Sequence, residues 1–137
     1  MRVAVVFVPG KNRDKLLSIS KALAKGIESN GHRVDLVDAG RDVNTKLTIF
    51  EYIAVGTQPI TFFTGKVPDR LSMFLKNAGM VVGKKCFAFT TKKGLGTDKA
   101  LSRTMKTMEA EGMFLRFSEI LSSEVEAEEI GKRLKIS

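Results

Sequence analysis

At 137 residues with 43% hydrophobic content, the chain has the size of about one domain and enough apolar surface to bury a core. A single cysteine, Cys86, excludes an intrachain disulfide and every two-cysteine metal motif, and a single histidine, His32, leaves no cluster for zinc. The formal net charge of +8 favours anionic partners, but the basic residues stand in small groups between carboxylates, which gives nucleic acid little support against plain solubility.

The first element is a continuous apolar run, Val3 to Val8, as in a strand buried on both faces; Pro9 and Gly10 end it at once. From Asp14 the period turns helical, with Leu16, Ile19, Leu23 and Ile27 on one face and Leu17 and Ala24 beside them. Asn30-Gly31 closes this helix, because glycine readily takes the left-handed conformation needed just past a helix end. His32 to Val37 alternates polar and apolar, as a half-covered edge strand does. The polar stretch from Ala39 to Thr48 is too short to define a helix.

Phe50 to Val55 reads as a third strand ending at Gly56. Pro68 opens a second helix, with Val67, Leu71, Phe74, Leu75 and Ala78 inward. Cys86 to Phe89 is a fourth strand, and Thr97 or Asp98 is expected to cap a third helix carrying Leu101, Met105 and Met108. Met113 to Leu121 supplies a fifth strand. Ser123 and Glu126 then form a capping box for a last helix with Ile130 and Leu134.

Strands alternating with helices predict a parallel sheet with helices on both faces, since parallel strands need crossover connections. No run approaches the roughly 18 apolar residues of a membrane span, and no secretory leader is read at the N-terminus, so the expectation is one domain over residues 1–137 in the cytoplasm. Ligands of such sheets bind beyond the carboxyl ends of the strands, where strand order reverses. That directs attention to three loops, Pro9–Asp14, Thr57–Lys66 and Thr90–Thr97.

The stretches MRVAVVFVPGKNRDKLLSISKALAKGIESNGHRVDLVDAG, FEYIAVGTQPITFFTGKVPDRLSMFLKNAG and VGKKCFAFTTKKGLGTDKALSRTMKTMEAEG together resemble the flavodoxin-like family along nearly the whole chain. Gly31-His32 before the second strand, Gly56-Thr57-Gln58-Pro59 after the third and Gly83-Lys84-Lys85 before the fourth carry the resemblance. It implies a three-layer α/β/α sandwich whose five-stranded parallel sheet has the order 2-1-3-4-5, with the length of a short-chain flavodoxin. It also implies non-covalent FMN at the three loops, and electron transfer or a small flavin-dependent redox component, working with a partner protein that the basic charge would make acidic.

The residues assigned to FMN on that basis are Gly10, Lys11, Asn12, Arg13 and Asp14 in the first loop. The second loop contributes Thr57, Gln58, Phe62, Phe63 and Thr64, and the third Thr90, Thr91, Lys92, Gly94 and Gly96. The family's first loop usually reads Ser/Thr-x-Thr-Gly-x-Thr, whereas this chain has Pro9-Gly10-Lys11-Asn12-Arg13-Asp14, without a hydroxyl. Either Lys11, Asn12 and Arg13 supply charged donors in place of hydroxyls, or Asp14 caps the helix and the loop is empty.

Phe62 and Phe63 stand where the family often places an aromatic residue against the flavin, but the third loop has no Tyr or Trp for an outer wall. Lys92 or Lys93 near a reduced flavin would stabilise its negative charge. Alternatively they form a solvated basic turn. Cys86 falls inside a strand and His32 lies at the opposite end of the sheet, so no protein-borne catalytic group is identified. The competing function is a domain of the same fold that has lost FMN and serves as a basic protein-interaction or other anion-binding module.

Overall fold

A computed structural model of the chain describes residues 1–136. Five parallel strands, β1 (Arg2–Val8), β2 (Arg33–Asp38), β3 (Tyr52–Thr57), β4 (Lys85–Thr91) and β5 (Phe114–Leu121), form one sheet in the order β2-β1-β3-β4-β5. Helices α1 (Arg13–Glu28), α2 (Arg70–Lys76), α3 (Thr97–Ala110) and α4 (Glu124–Arg133) complete the expected three layers.

The two periods explain the layers. Alternate residues of β1 point to opposite faces, Val3, Val5 and Phe7 to one core and Ala4, Val6 and Val8 to the other. On the first face α1 and α4 cover Tyr52, Phe87 and Phe89, with Leu16, Ile19, Leu23 and Ile27 turned inward as their spacing requires. On the second face α2 and α3 cover Ile53, Val55, Cys86 and Ala88 through Leu71, Phe74, Leu75 and Met108. Gly31 takes φ +88° just beyond α1 and ends it there.

Where α1 crosses α4 there is no room for side chains. A Cβ on Gly26 would overlap the Glu128 carbonyl oxygen and stand 2.9 Å from the Gly131 Cα. One on Gly131 would overlap the Leu23 carbonyl oxygen and stand 3.0 Å from the Gly26 Cα. The backbones of the two helices touch at this pair of glycines. The stretch between β2 and β3 is irregular, and the ammonium of Lys84 ties it to the sheet by donating to the carbonyls of Leu47 (3.0 Å), Thr48 (2.5 Å) and Phe50 (2.6 Å). Burial holds the pKa of Lys84 below its ordinary value, with the Glu51 carboxylate acting the other way.

Three local expectations change. The N-cap of α1 is Asn12, whose side chain accepts from the Lys15 N–H at 3.2 Å, while Asp14 is an exposed first-turn residue. Gly96 holds the N-cap position of α3, because the Thr97 hydroxyl turns back to the Lys93 and Gly94 carbonyls instead of capping the helix. Ser123 caps α4 through the Glu126 N–H at 3.2 Å, but the Glu126 carboxylate reaches Ser122 and leaves the box half formed.

The β4–β5 ladder carries one irregularity. Leu115 pairs with Cys86 and Phe117 with Phe87, so Arg116 has no opposite number.

Burial pushes the Cys86 thiol from 9.0 up to about 12, with the Glu109 carboxylate adding to the effect. The native protein should therefore leave Ellman's reagent unreacted at about pH 8 and release one equivalent of thiol in guanidinium. Burial raises the Tyr52 phenol as well, with Cys86 contributing. Both groups hold their protons more tightly folded than unfolded, so above about pH 9 the unfolded chain binds fewer protons and stability falls with rising pH. Urea midpoints should be unaffected by these two groups below about pH 8 and should fall steadily from about pH 9 to pH 11.

Candidate functional site

All three loops named from the sequence meet at the carboxyl ends of β1, β3 and β4, around the β1–β3 boundary where strand order reverses. The first loop is fixed from beneath by Gln58. Its Oε1 accepts from the Gly10 N–H at 2.8 Å, and its Nε2 donates to the Asn12 carbonyl at 2.5 Å. The side chain is buried at the end of β3, so this amide takes the place of a loop hydroxyl in setting the turn. The tight turn also needs Gly10, since a Cβ there would fall 2.8 Å from Ile60.

Beside this clamp is a cavity of about 250 Å³ bordered by Lys11, Asn12, Lys15, Gln58, Thr91 and Lys92, with Lys93 and Pro59 completing its wall. Among the described residues, four lysines and no carboxylate line it. Among the described residues none of the four has an ion-pair partner. Unpaired cations around a concave space, beside the positive end of α1, set a potential that attracts an anion.

Lys15 belongs to the site but lies outside the loop boundaries read from the sequence. It stands in the first turn of α1, directly after the loop, and the start of the helix brings it to the same cavity as Lys11.

Arg13 goes elsewhere. Its Nε donates to the buried Asp38 carboxylate at 2.8 Å, and its guanidinium lies 5.8 Å from the Phe7 ring centroid. Asp38 also accepts from the Gly40 N–H at 2.8 Å and has Arg41 at 3.8 Å. Arg13, Arg41 and Arg70 border a separate cavity of about 430 Å³ on the α2 side, where Arg70 donates to the Gly40 carbonyl. These arginines are occupied in holding the β2 loop.

Thr57 and Thr90 also turn inward. Their hydroxyls lie 3.2 Å apart in a buried chain that continues from Thr57 to Thr104 at 2.8 Å and from Thr90 to the Thr57 carbonyl at 3.0 Å. This chain fixes the ends of β3 and β4 against α3. Thr91 borders the lysine cavity, and Thr64 is exposed and paired with Thr61 at 2.5 Å.

Phe62 and Phe63 meet edge to face with centroids 4.7 Å apart. They are 52% and 64% exposed, and Leu95 in the third loop is 73% exposed, so the fold leaves apolar surface at this end of the sheet. The Phe62 ring lies directly over Gly94, whose φ is +61° and whose Cβ, were there one, would overlap the ring. The Gly96 N–H donates to the Phe62 carbonyl at 2.8 Å, and Gly65 meets the Gly96 carbonyl on the other side. The second and third loops are thus joined by backbone contacts, with Phe62 covering the junction.

For FMN, the phosphate end fits: the lysine cavity offers four cations and the polar side chains of Asn12 and Thr91. The ring end fits only partly, because Phe62 occupies the surface of Gly94 that a flat ring between the two loops would use.

No protein-family model matches the chain, and no curated protein matches it in sequence. Solved structures match it in fold. Oxidised flavodoxin 1 from Bacillus cereus superposes with a TM-score of 0.74 at 14% identity, covering 98% of this chain and 100% of its own. The flavodoxin of Streptococcus pneumonia TIGR4 gives 0.69 at 16% identity, over 97% and 94% of the two chains. Two-electron reduced Megasphaera elsdenii flavodoxin gives 0.65 at 18% identity, over 93% and 96%. Identities this low speak to architecture alone, and together with the strand order they show that the chain has a flavodoxin-like fold.

Proposed function

We propose that this chain binds FMN non-covalently, anchored by its phosphate in the lysine-lined cavity, and acts in electron transfer with a partner protein. The observation that carries the reading is the set of four unpaired lysines, Lys11, Lys15, Lys92 and Lys93, around one cavity at the strand-order reversal. FMN, when bound, supplies the redox chemistry. Lys11 and Lys92 hold the phosphate charge, Asn12 and Thr91 add polar contacts, and Gln58 keeps the first loop in the shape that presents them. The exposed Phe62, Phe63 and Leu95 exclude water from the apolar part of the ligand and offer a surface to the partner. The +8 charge favours an acidic one.

A second reading, an anion-binding module without flavin, is favoured by one observation, the Phe62 ring resting on Gly94.

Titration of FMN fluorescence separates the two. The wild-type protein should quench FMN at micromolar concentrations and bind riboflavin, which lacks the phosphate, far more weakly. Lys11→Gln and Lys92→Gln should each weaken FMN binding roughly tenfold, the worth of one charge-assisted contact. A colourless protein that leaves FMN fluorescence unchanged, yet gains thermal stability with pyrophosphate, would establish the flavin-free module instead.

A further inference from the structure

A third cavity, also of about 430 Å³ and distinct from the one bordered by Arg13, Arg41 and Arg70, lies at the other end of the sheet. It is bounded by Tyr52, the first residue of β3, by Arg116 and Phe117 early in β5, and by Arg133, Leu134 and Lys135 where α4 ends. The helices return antiparallel to the strands, so these positions sit at the amino ends of β3 and β5, away from the lysine cavity. Flavin binding at the carboxyl ends uses none of them.

The cavity has an apolar floor and a cationic rim. Phe117 forms part of the floor, stacked on the buried Phe87 ring at 5.7 Å and 17°, with Ile130 and Leu134 beside it. Tyr52 is 1% exposed and lines the space, and among the described residues its hydroxyl has no hydrogen-bond partner. Among the described residues the buried side-chain polar atoms left without a partner are Arg2 Nε and Ser20 Oγ, so the phenol oxygen is not sealed in the core and stands at the cavity wall, where an acceptor can reach it. Burial raises its pKa, so at neutral pH it is a donor, and Arg116 is near enough for its charge to act against that rise. Among the described residues, Arg116, Arg133 and Lys135 bring three positive charges to the rim and Glu119 one carboxylate.

The irregularity in β5 assembles this arrangement. In unbroken alternation after Leu115, which packs on the α2–α3 side, Arg116 and Phe117 would point to opposite faces. The extra residue puts Phe117 opposite Phe87, on the α1–α4 side, so that guanidinium and phenyl ring border the same cavity. Bulges re-aim side chains in this way.

We propose that this cavity binds a small carboxylic acid with a flat apolar body. The body lies on Phe117 and Leu134, and the carboxylate accepts from Tyr52 and pairs with Arg116, which can engage both carboxylate oxygens. The proposal does not depend on flavin binding at the opposite end.

The probes are 2-naphthoate and its uncharged counterpart 2-naphthalenemethanol, titrated into the full chain with amide and side-chain NMR shifts as the readout. Naphthoate should bind at least about tenfold more tightly than the alcohol and shift resonances of Tyr52, Phe117 and Leu134. Tyr52→Phe, which keeps the ring and the packing, and Arg116→Gln should each weaken naphthoate roughly fivefold or more while leaving the lysine-cavity resonances unmoved. Equal affinity for acid and alcohol, shifts confined to the lysine cavity, unaltered affinity in folded Tyr52→Phe, or no shift at millimolar naphthoate would each overturn the proposal.

Discussion

Gly26→Ala should cost about 3 kcal/mol of stability and lower the melting temperature by roughly 10 °C. Alanine in a helix interior ordinarily gains about 1 kcal/mol over glycine, so the expected sign is opposite to the helix-propensity rule. The reason is that the new methyl group would overlap the Glu128 carbonyl oxygen and stand 2.9 Å from the Gly131 Cα. Both obstacles are backbone, held by the hydrogen bonds of α4, and cannot rotate away as a side-chain tip would. The helices must separate, which opens the apolar layer beneath them. Gly131→Ala should behave alike, and the double variant should lose less than the sum because both methyls open the same contact. Thermal melts of the two single variants and the pair check this; an unchanged or higher melting temperature for Gly26→Ala would show that α1 and α4 do not pack as described.

Gln58→Leu should be the second large effect, removing about 2 kcal/mol of stability by leaving the Gly10 N–H without a partner and the Asn12 carbonyl with only the Leu16 N–H. Leucine fills a similar volume, so the loss reports the two hydrogen bonds and not a cavity. Guanidinium denaturation measures the global part. The local part is more telling: hydrogen exchange at the Gly10 amide should accelerate strongly, while the amides of β3 should change only with overall stability. Because Gln58 shapes the loop that presents Lys11 and Asn12, FMN affinity should fall roughly tenfold as well.

The layers of the fold are legible in the sequence because they rest on period alone. The apolar run Val3–Val8 and the spacing of Leu16, Ile19, Leu23 and Ile27 each determine a buried face without reference to the rest of the chain. Contacts between distant segments are not legible in this way. Asn12 and Asp14 are both good cap residues, and the choice between them is made by where the chain leaves Gly10, which Gln58 sets from 48 residues away.

Arg13 reads as a phosphate ligand by its place in the loop, yet it turns to Asp38, because a nearly buried carboxylate needs a cation more than a solvated loop does. Thr57 and Thr90 are suitable ligand donors by type, but parallel pairing sets them side by side, where they satisfy each other. Phe62 over Gly94 shows the same limit: the sequence has an aromatic residue and a glycine, and only the fold places one on the other.

The unmatched Arg116 also bears on how the molecule behaves in concentrated solution. β5 is an outer strand, and Phe114 and Phe117 are both exposed along it, an arrangement that invites another chain to add a strand and continue the sheet. An added strand needs an even, uninterrupted row of backbone donors and acceptors. The extra residue bends that row and breaks its spacing, and Arg116 and Glu119 place opposite charges along the margin. The same one-residue insertion that brings Arg116 and Phe117 to one cavity therefore guards an aromatic border against self-association.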